Sequence, residues 1–525
     1  MKQDPSSQDV AVVGAQNVGH GMARQGGKGR ACWASLVDAA LGRAAASGLL
    51  HTCSFVNGAW VEHGLQCESL FDPASGMLLA NLTLADASLI DQAVDAAHNE
   101  QKAWAARLPL QRGAVLRKWA DLMRAEADTL ASLITLEQGK PLQESAAEVQ
   151  YAASFIDWFA AEAERAYGET IVSHKLGSRL TVDMQPVGVV GIVTPWNFPS
   201  AMITRKAAAA MAAGCTVVVK PAPETPLSAL ALACLAKRAG IPDGVFNVVH
   251  GPAAALATRL IENPRVRALS FTGSTEVGRL LMGQAARTIK RVSLELGGHA
   301  PFIVFDDSPL VDAVAGCMAA KFATSGQDCL AANRIFVQRR SYEAFCDAFA
   351  EQINRLKIGH GLEQHVNIGP MTRPAGVQKC KEQIQDAVER GARIRAQVQS
   401  DDFGPNFVTP TLLVDVTDEM AIARDETFGP VAAVLPFDDE AEVIERANNS
   451  EMGLAAYVFT QSLNRATRTS QQLQYGMVGV NTASFTGPPV PFGGWKQSGI
   501  GREGSKHGLA EFMELKYTCI GGLSI

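Results

Sequence analysis

The sequence predicts an α/β fold with mostly parallel sheets, and three observations carry that prediction. Between Gly188 and Leu296, short apolar runs rich in β-branched residues alternate with helical stretches. That is the pattern of βαβ units whose sheet is covered on both faces. The alternation resumes after position 330 and continues to 480. Small and polar residues gather where the strands end, which is where such sheets bind ligands. At 525 residues the chain exceeds one hydrophobic core, so two or three domains are expected.

Composition narrows the function classes. The chain is 47% hydrophobic and 19% charged, ordinary for a globular protein. A net charge of −6 gives no overall footprint for nucleic acid or an anionic membrane. No apolar run reaches the roughly 20 residues that cross a bilayer. Ten cysteines lie scattered without a CxxC or CxxH spacing. This points to a reducing, cytoplasmic setting, with neither a disulfide framework nor a metal site.

Residues 1–50 are rich in Gly, Ala, Gln and Ser, and basic from Arg24 to Arg43. They read as a flexible extension, or as an upstream start with Met22 as the alternative; a targeting peptide is the second reading. Val12-Val13-Gly14 through Gly19-His20-Gly21 mimics a dinucleotide fingerprint, but its spacing is wrong and no strand leads in. Helical patterns follow at about 85–107, 110–138 and 142–167. In the second, Val115, Leu116, Trp119, Leu122 and Met123 share one face. Asp86 is a plausible N-cap and Gly139 a C-terminal stop. Strands are expected at 179–184 and 188–194, the first in a ribbon whose apolar edge invites pairing with another subunit.

Within 188–296, strands are expected at 189–193, 216–219, 246–249, 268–271 and 292–294. The turns at their ends are Thr194-Pro-Trp-Asn-Phe-Pro199, Lys220-Pro-Ala-Pro-Glu224 and Phe271-Thr-Gly-Ser-Thr275. In the second α/β region, helices are expected at 341–355, 440–448 and 463–474. Strands there are expected at 412–416, 455–459 and 477–480, with a terminal strand at 514–520.

One cysteine stands apart. Cys329 follows Gly326-Gln327 at a turn between an apolar helical run and a strand-like run. Most intracellular cysteines are inert small apolar residues, so its neighbours decide. A thiol that attacks a carbonyl needs an oxyanion donor and a base. Asn197 is a neutral donor on a strand-end turn, though an Asn there also simply caps the turn. Glu295 ends an apolar strand, where burial raises a carboxylate's pKa and suits a base; a structural Glu reads the same way. Gly273 and Ser274 open a helix whose N–H groups suit a pyrophosphate. Lys220 and Glu426 are candidate ribose partners, or a free lysine and a loop acid.

Taken together, Pro195-Trp-Asn-Phe-Pro199, Phe271-Thr-Gly-Ser-Thr275, Glu295-Leu-Gly-Gly298, Gly326-Gln-Asp-Cys329, Glu426-Thr-Phe-Gly-Pro430 and Pro491-Phe-Gly-Gly494 resemble the aldehyde dehydrogenase superfamily. The resemblance is collinear from about residue 54 to the end. It implies an aldehyde dehydrogenase-like fold. A Rossmann-type cofactor domain would cover 51–167 and 187–296, and a catalytic domain 297–504. An oligomerisation ribbon, from 168–186 and 505–525, would build a homodimer or homotetramer. It implies Cys329 as nucleophile, Glu295 as base for deacylation, and Asn197 with the Cys329 amide as oxyanion hole. It implies NAD or NADP held by Trp196, Asn197, Lys220, Pro223, Gly273, Ser274, Leu296 and Glu426, with no metal.

The branch most similar is succinate-semialdehyde dehydrogenase, on Ser200-Ala-Met-Ile-Thr-Arg-Lys206, Phe302-Ile-Val-Phe-Asp-Asp307 and Gly501-Arg-Glu-Gly-Ser-Lys506. The expected reaction is NAD(P)-dependent oxidation of a short anionic semialdehyde through a Cys329 thioester. That branch clamps the substrate carboxylate with two arginines. Arg205 matches one, but Ala323 stands at the other, and Thr486-Gly-Pro-Pro489 lacks an expected serine. Glutarate semialdehyde or a sulfonated aldehyde are therefore alternatives. Ala331 removes the second cysteine of a known redox switch. Pro223 replaces a Glu that repels a 2′-phosphate, with Glu224 beside it, so NADP is expected to be accepted. Three rivals remain: a CoA-acylating dehydrogenase, which needs no Glu295; a cysteine hydrolase using His299 or His360; and a non-catalytic binding protein.

Overall fold

The computed structural model describes residues 29–62, 64, 66–398 and 403–524. Two sheets carry the site. The first runs in the order Ala59–Val61, Ser54–Val56, Phe246–Val248, Thr216–Lys220, Val189–Val193, Val266–Thr272, Arg291–Glu295, Gly499–Ile500. Its five central strands are parallel, and both ends are closed by antiparallel pairs. The central strands are nearly continuous runs of buried Val, Ile and Leu, as a sheet covered on both faces requires. The closing pair at Gly499–Ile500 comes from the segment expected to belong wholly to the second domain.

The second sheet orders Arg393–Gln397, Thr411–Val414, Val431–Phe437, Ala332–Gln338, Ala300–Val304, Ala455–Phe459 and Met477–Val480. Its strands are parallel except for the first pair. A third, antiparallel sheet joins Met513–Ile520, Arg179–Pro186 and Glu169–Ile171. Leu515 is 72% exposed there, and Tyr517 and Ile171 are exposed with it. Ser505–Ala510, expected within the ribbon, is a short helix.

The helices follow from caps and apolar stripes. The Asp86 side chain accepts from the Ser88 and Leu89 N–H groups and starts Ala87–Ala106, which buries Leu89, Ile90, Ala93, Val94 and Ala97. The pattern expected as one helix over 110–138 is two, Pro109–Ala125 and Ala127–Gln138, because Glu126 leaves helical geometry at ψ 21°. Gly139 ends the second in the left-handed region at φ 100°, where a Cβ would lie 2.8 Å from Pro370. Ala201–Ala213 is buried along its whole length. Its apolar residues explain that, but Arg205 and Lys206 are buried with it and need partners.

Residues 1–50 need a correction. Gly29–Ala46 is a helix, with Trp33, Val37, Ala40 and Ala44 buried. Its apolar residues recur at helical spacing inside an Ala-rich stretch whose composition suggested a linker. Met22 and the fingerprint mimic at 12–21 lie outside the described residues.

Candidate active site

Cys329 follows the helix Leu310–Phe322 and the turn Ala323–Gly326, and precedes the strand Ala332–Gln338. The turn is strained. Thr324 and Ser325 sit at φ 54° and 55°, a region costly for a β-branched side chain. Neighbours hold it. The Glu144 carboxylate accepts from the Thr324 N–H at 2.7 Å. Ser325 Oγ donates to the Gly369 carbonyl and accepts from its N–H at 3.1 and 3.0 Å. Gln327 accepts from the Thr372 N–H at 3.0 Å. A Cβ on Gly298 would lie 2.3 Å from the Cys329 carbonyl oxygen. Only glycine lets the chain after Glu295 pass this close to the cysteine loop.

Two cavities meet at Cys329, which lines both and is 8% exposed. The larger, about 530 Å³, lies at the carboxyl ends of the first sheet's strands. Trp196, Asn197, Lys220, Pro223, Gly273, Ser274, Leu296 and Glu426 all line it, and so does Glu295. The smaller, about 360 Å³, holds Arg205 and Ala323, with Glu144, Tyr151, Asp328, Thr486 and Phe492. Glu295, Asn197, Arg205 and the expected cofactor contacts thus gather around the Cys329 thiol.

Burial dominates the electrostatics. Glu295 is 3% exposed, and burial pushes its pKa up to about 7, against the pull of Arg205 and Lys206. The Cys329 thiol is also held above its ordinary value, by burial first and then by Glu295 and Asp328. Asn197 Nδ2 donates to the Gln327 carbonyl at 3.1 Å, and its Oδ1 has no partner among the described residues. The Asn197 backbone carbonyl accepts from Lys140 Nζ at 2.6 Å, and Lys140 pairs with Glu148 at 2.8 Å. Glu148 in turn accepts from the Ser200 and Ala201 N–H groups. A buried ion pair therefore fixes the turn that carries Asn197. Glu426 accepts from the Gly298 N–H at 3.1 Å, and burial pushes it up to about 7 as well.

Glu503, Lys206 and Arg373 escaped sequence reasoning. Arg205 and Lys206 both pair with Glu503, and Arg205 Nη2 lies 3.8 Å from Glu295. The Arg205 guanidinium also lies 4.3 Å from the centre of the Phe492 ring. Two adjacent cations in an otherwise apolar helix were the available signal for a buried acid elsewhere. Arg373 reaches the larger cavity from the other side, pairs with Glu224, and lies 5.9 Å from the centre of the Trp196 ring. No local pattern marked it. His299 and His360 line neither cavity. His360 bonds Asp72 at 2.9 Å, and burial holds His299 well below its ordinary value.

The larger cavity suits a dinucleotide. Gly273 and Ser274 open the helix Thr275–Ala286, Ser274 Oγ caps it, and both residues line the space. Thr194 Oγ1 is buried there without a hydrogen-bond partner among the described residues. Lys220 is 2% exposed, its pKa lowered to about 8 by burial.

The family model for the aldehyde dehydrogenase family matches residues 60–518. The succinate-semialdehyde dehydrogenase [NADP(+)] of Escherichia coli (strain K12) is 50% identical over 476 residues, covering 90% of this chain and 99% of that one. A non-phosphorylating aspartate-semialdehyde dehydrogenase of Halomonas elongata is 51% identical over 477 residues, covering 90% and 97%. The crystal structure of an aldehyde dehydrogenase from Brucella melitensis biovar abortus 2308 superposes with a TM-score of 0.89 at 50% identity, covering 90% and 98%. No helix among the described residues is long and apolar enough to cross a membrane. A thiol between a dinucleotide-sized cleft and a second, smaller pocket, on a chain matched almost end to end, makes this protein a member of the aldehyde dehydrogenase family.

Proposed function

We propose that this protein oxidises a short semialdehyde with an acidic end to the corresponding acid, using NAD or NADP and a Cys329 thioester. The observation that carries this reading is the position of Cys329 at the junction of the two cavities, with Glu295 lining the larger one beside it. The relatives named above act on four-carbon semialdehydes by their names.

The aldehyde carbon enters from the smaller cavity, with its acid end toward Arg205. Cys329 sulfur bonds that carbon, the thiol proton passes to solvent, and the opened C=O bond leaves negative charge on the former carbonyl oxygen. The Asn197 amide and the Cys329 N–H stabilise that oxygen; one such donor contributes about 10²–10³-fold. Trp196, Lys220, Pro223, Gly273, Ser274, Leu296 and Glu426 would hold a nicotinamide dinucleotide, which when bound would accept the hydride that the thiohemiacetal carbon loses. The thioester left on Cys329 is then cleaved by water. Glu295 takes the water proton, and its pKa near neutrality lets it act as base without being permanently charged. The acid departs and the thiol is restored. An intact Glu295 disfavours CoA acylation, and His299 and His360 lie away from both cavities, which disfavours a thiol–histidine hydrolase.

In this reading, 51–167 with 187–296 forms the cofactor unit and 297–504 the catalytic unit. The exposed apolar residues of the third sheet, Leu515 and Tyr517 among them, pair two copies into a cytoplasmic dimer or tetramer. The test is steady-state oxidation of succinate, glutarate and sulfonated semialdehydes beside neutral aldehydes, with each cofactor. Acid-ended aldehydes leading in kcat/KM supports the reading. Neutral aldehydes leading overturns the role given to Arg205.

A further inference from the structure

We propose that Arg373 and Lys379 hold the pyrophosphate of the dinucleotide from the wall of the cleft opposite Gly273 and Ser274. This rests on the function proposed above, which places a nicotinamide dinucleotide in the larger cavity, and assigns it two further ligands.

The larger cavity has walls from both sheets. Gly273 and Ser274 stand on the first sheet's side, where Ser274 caps the helix Thr275–Ala286. On the second sheet's side is the helix Pro374–Glu389, which buries Val377, Cys380 and Ala387 in that sheet's core. Arg373, just before this helix, and Lys379, within it, both line the cavity. Six residues of helix span roughly 9 Å, so the two cations mark two points along the cleft. Arg373 lies at the Glu224 end, and its charge acts on Lys220. Lys379 lies at the Glu426 end, where it pulls the Glu426 pKa down against burial. Lys220 and Glu426 are the candidate ribose partners, and in any dinucleotide the pyrophosphate lies between the riboses.

Neither cation is fully engaged within the protein. Among the described residues the Lys379 side chain has no hydrogen bond and no ion pair within 4.0 Å. Arg373 is paired with Glu224, but its side chain is 48% exposed, and a part-exposed pair of this kind contributes little. A doubly charged pyrophosphate can therefore replace the carboxylate. Besides these two, the only cation among the cavity's described lining residues is Lys220, whose pKa burial lowers to about 8. The same lining carries Glu295 and Glu426, which repel an anion when charged. Arg373 and Lys379 thus supply the positive charge that a pyrophosphate needs when it leaves water.

The test is calorimetry on the cofactor-free, full-length protein with NAD and with NADP. Arg373→Met and Lys379→Met are each expected to raise Kd about three- to tenfold, between the scale of an exposed ion pair and that of a buried charge-assisted hydrogen bond. The factor is the same for both dinucleotides, because both carry the pyrophosphate. Glu224→Gln is expected to lower Kd a few-fold for both, because it frees Arg373. The opposite signs of Arg373→Met and Glu224→Gln separate a phosphate ligand from a structural ion pair, which both substitutions break alike. Losses confined to NADP overturn the assignment and move Arg373 to the 2′-phosphate. Equal weakening by Arg373→Met and Glu224→Gln, or no change in any variant, overturns it too. An unaltered protein that binds neither dinucleotide overturns the role given to the larger cavity in the proposed function as well.

Discussion

The larger cavity at Cys329 is walled by the ends of neighbouring strands in one parallel sheet, through Thr194, Lys220, Thr272 and Glu295. The smaller draws on the helix Leu142–Glu162, the buried helix Ala201–Ala213, the strained turn at Ala323–Gly326 and the loop that ends at Phe492. The first is fixed by backbone that the sheet itself positions. The second is assembled from side chains of elements distant in sequence, so single substitutions reshape it. Chemistry common to a family belongs in the first kind of wall, and substrate choice in the second.

That contrast predicts a gradient of effects. Cys329→Ala serves both cavities and is expected to lower kcat by about 10⁴-fold or more, with the fold unchanged by circular dichroism. Glu295→Gln is expected to cost about 10²–10⁴-fold in turnover. In the unaltered protein the hydrolysis-limited rate rises with pH through about 7, because the base acts only when deprotonated. The Gln variant loses that rise, and a profile unchanged by the substitution assigns the base elsewhere. Asn197→Ala is expected to lower kcat about 10²–10³-fold with little change in KM. The smallest effect concerns the rim of the larger cavity. Glu224 pairs with Arg373, which lines the larger cavity. Glu224→Gln is expected to tighten binding of adenosine 2′,5′-bisphosphate by a few-fold, roughly the size of one part-exposed ion pair, and Arg373→Ala to weaken it. Calorimetry on the cofactor-free protein reads both, and no change in either variant removes the pair from cofactor choice.

The same contrast explains what the sequence revealed. Strands such as Val189–Val193 and Ala455–Phe459 were legible because parallel strands buried on both faces are continuous apolar runs. The strand ends and following turns of the first sheet carry Asn197, Gly273 and Glu295, and a strand end sets the position of the next residue without further help. Glu503 was not legible as the partner of Arg205 and Lys206, because nothing in a Gly-rich loop tells which distant helix it meets. Glu144, whose carboxylate accepts from the Thr324 N–H, was missed for the same reason. The helix Gly29–Ala46 was hidden by composition, since Ala and Gly also mark linkers. The break at Glu126 was hidden because the apolar stripe continues across it.

The account's central claim is that Cys329 carries the acyl group and Glu295 releases it. The most direct test is the intact mass of Glu295→Gln after mixing with succinate semialdehyde and cofactor, followed by peptide mapping. The account predicts about one equivalent of reduced cofactor in a burst, with a succinyl mass retained on the peptide containing Cys329. Steady turnover at the unaltered rate with no adduct, or an adduct on another residue, contradicts it.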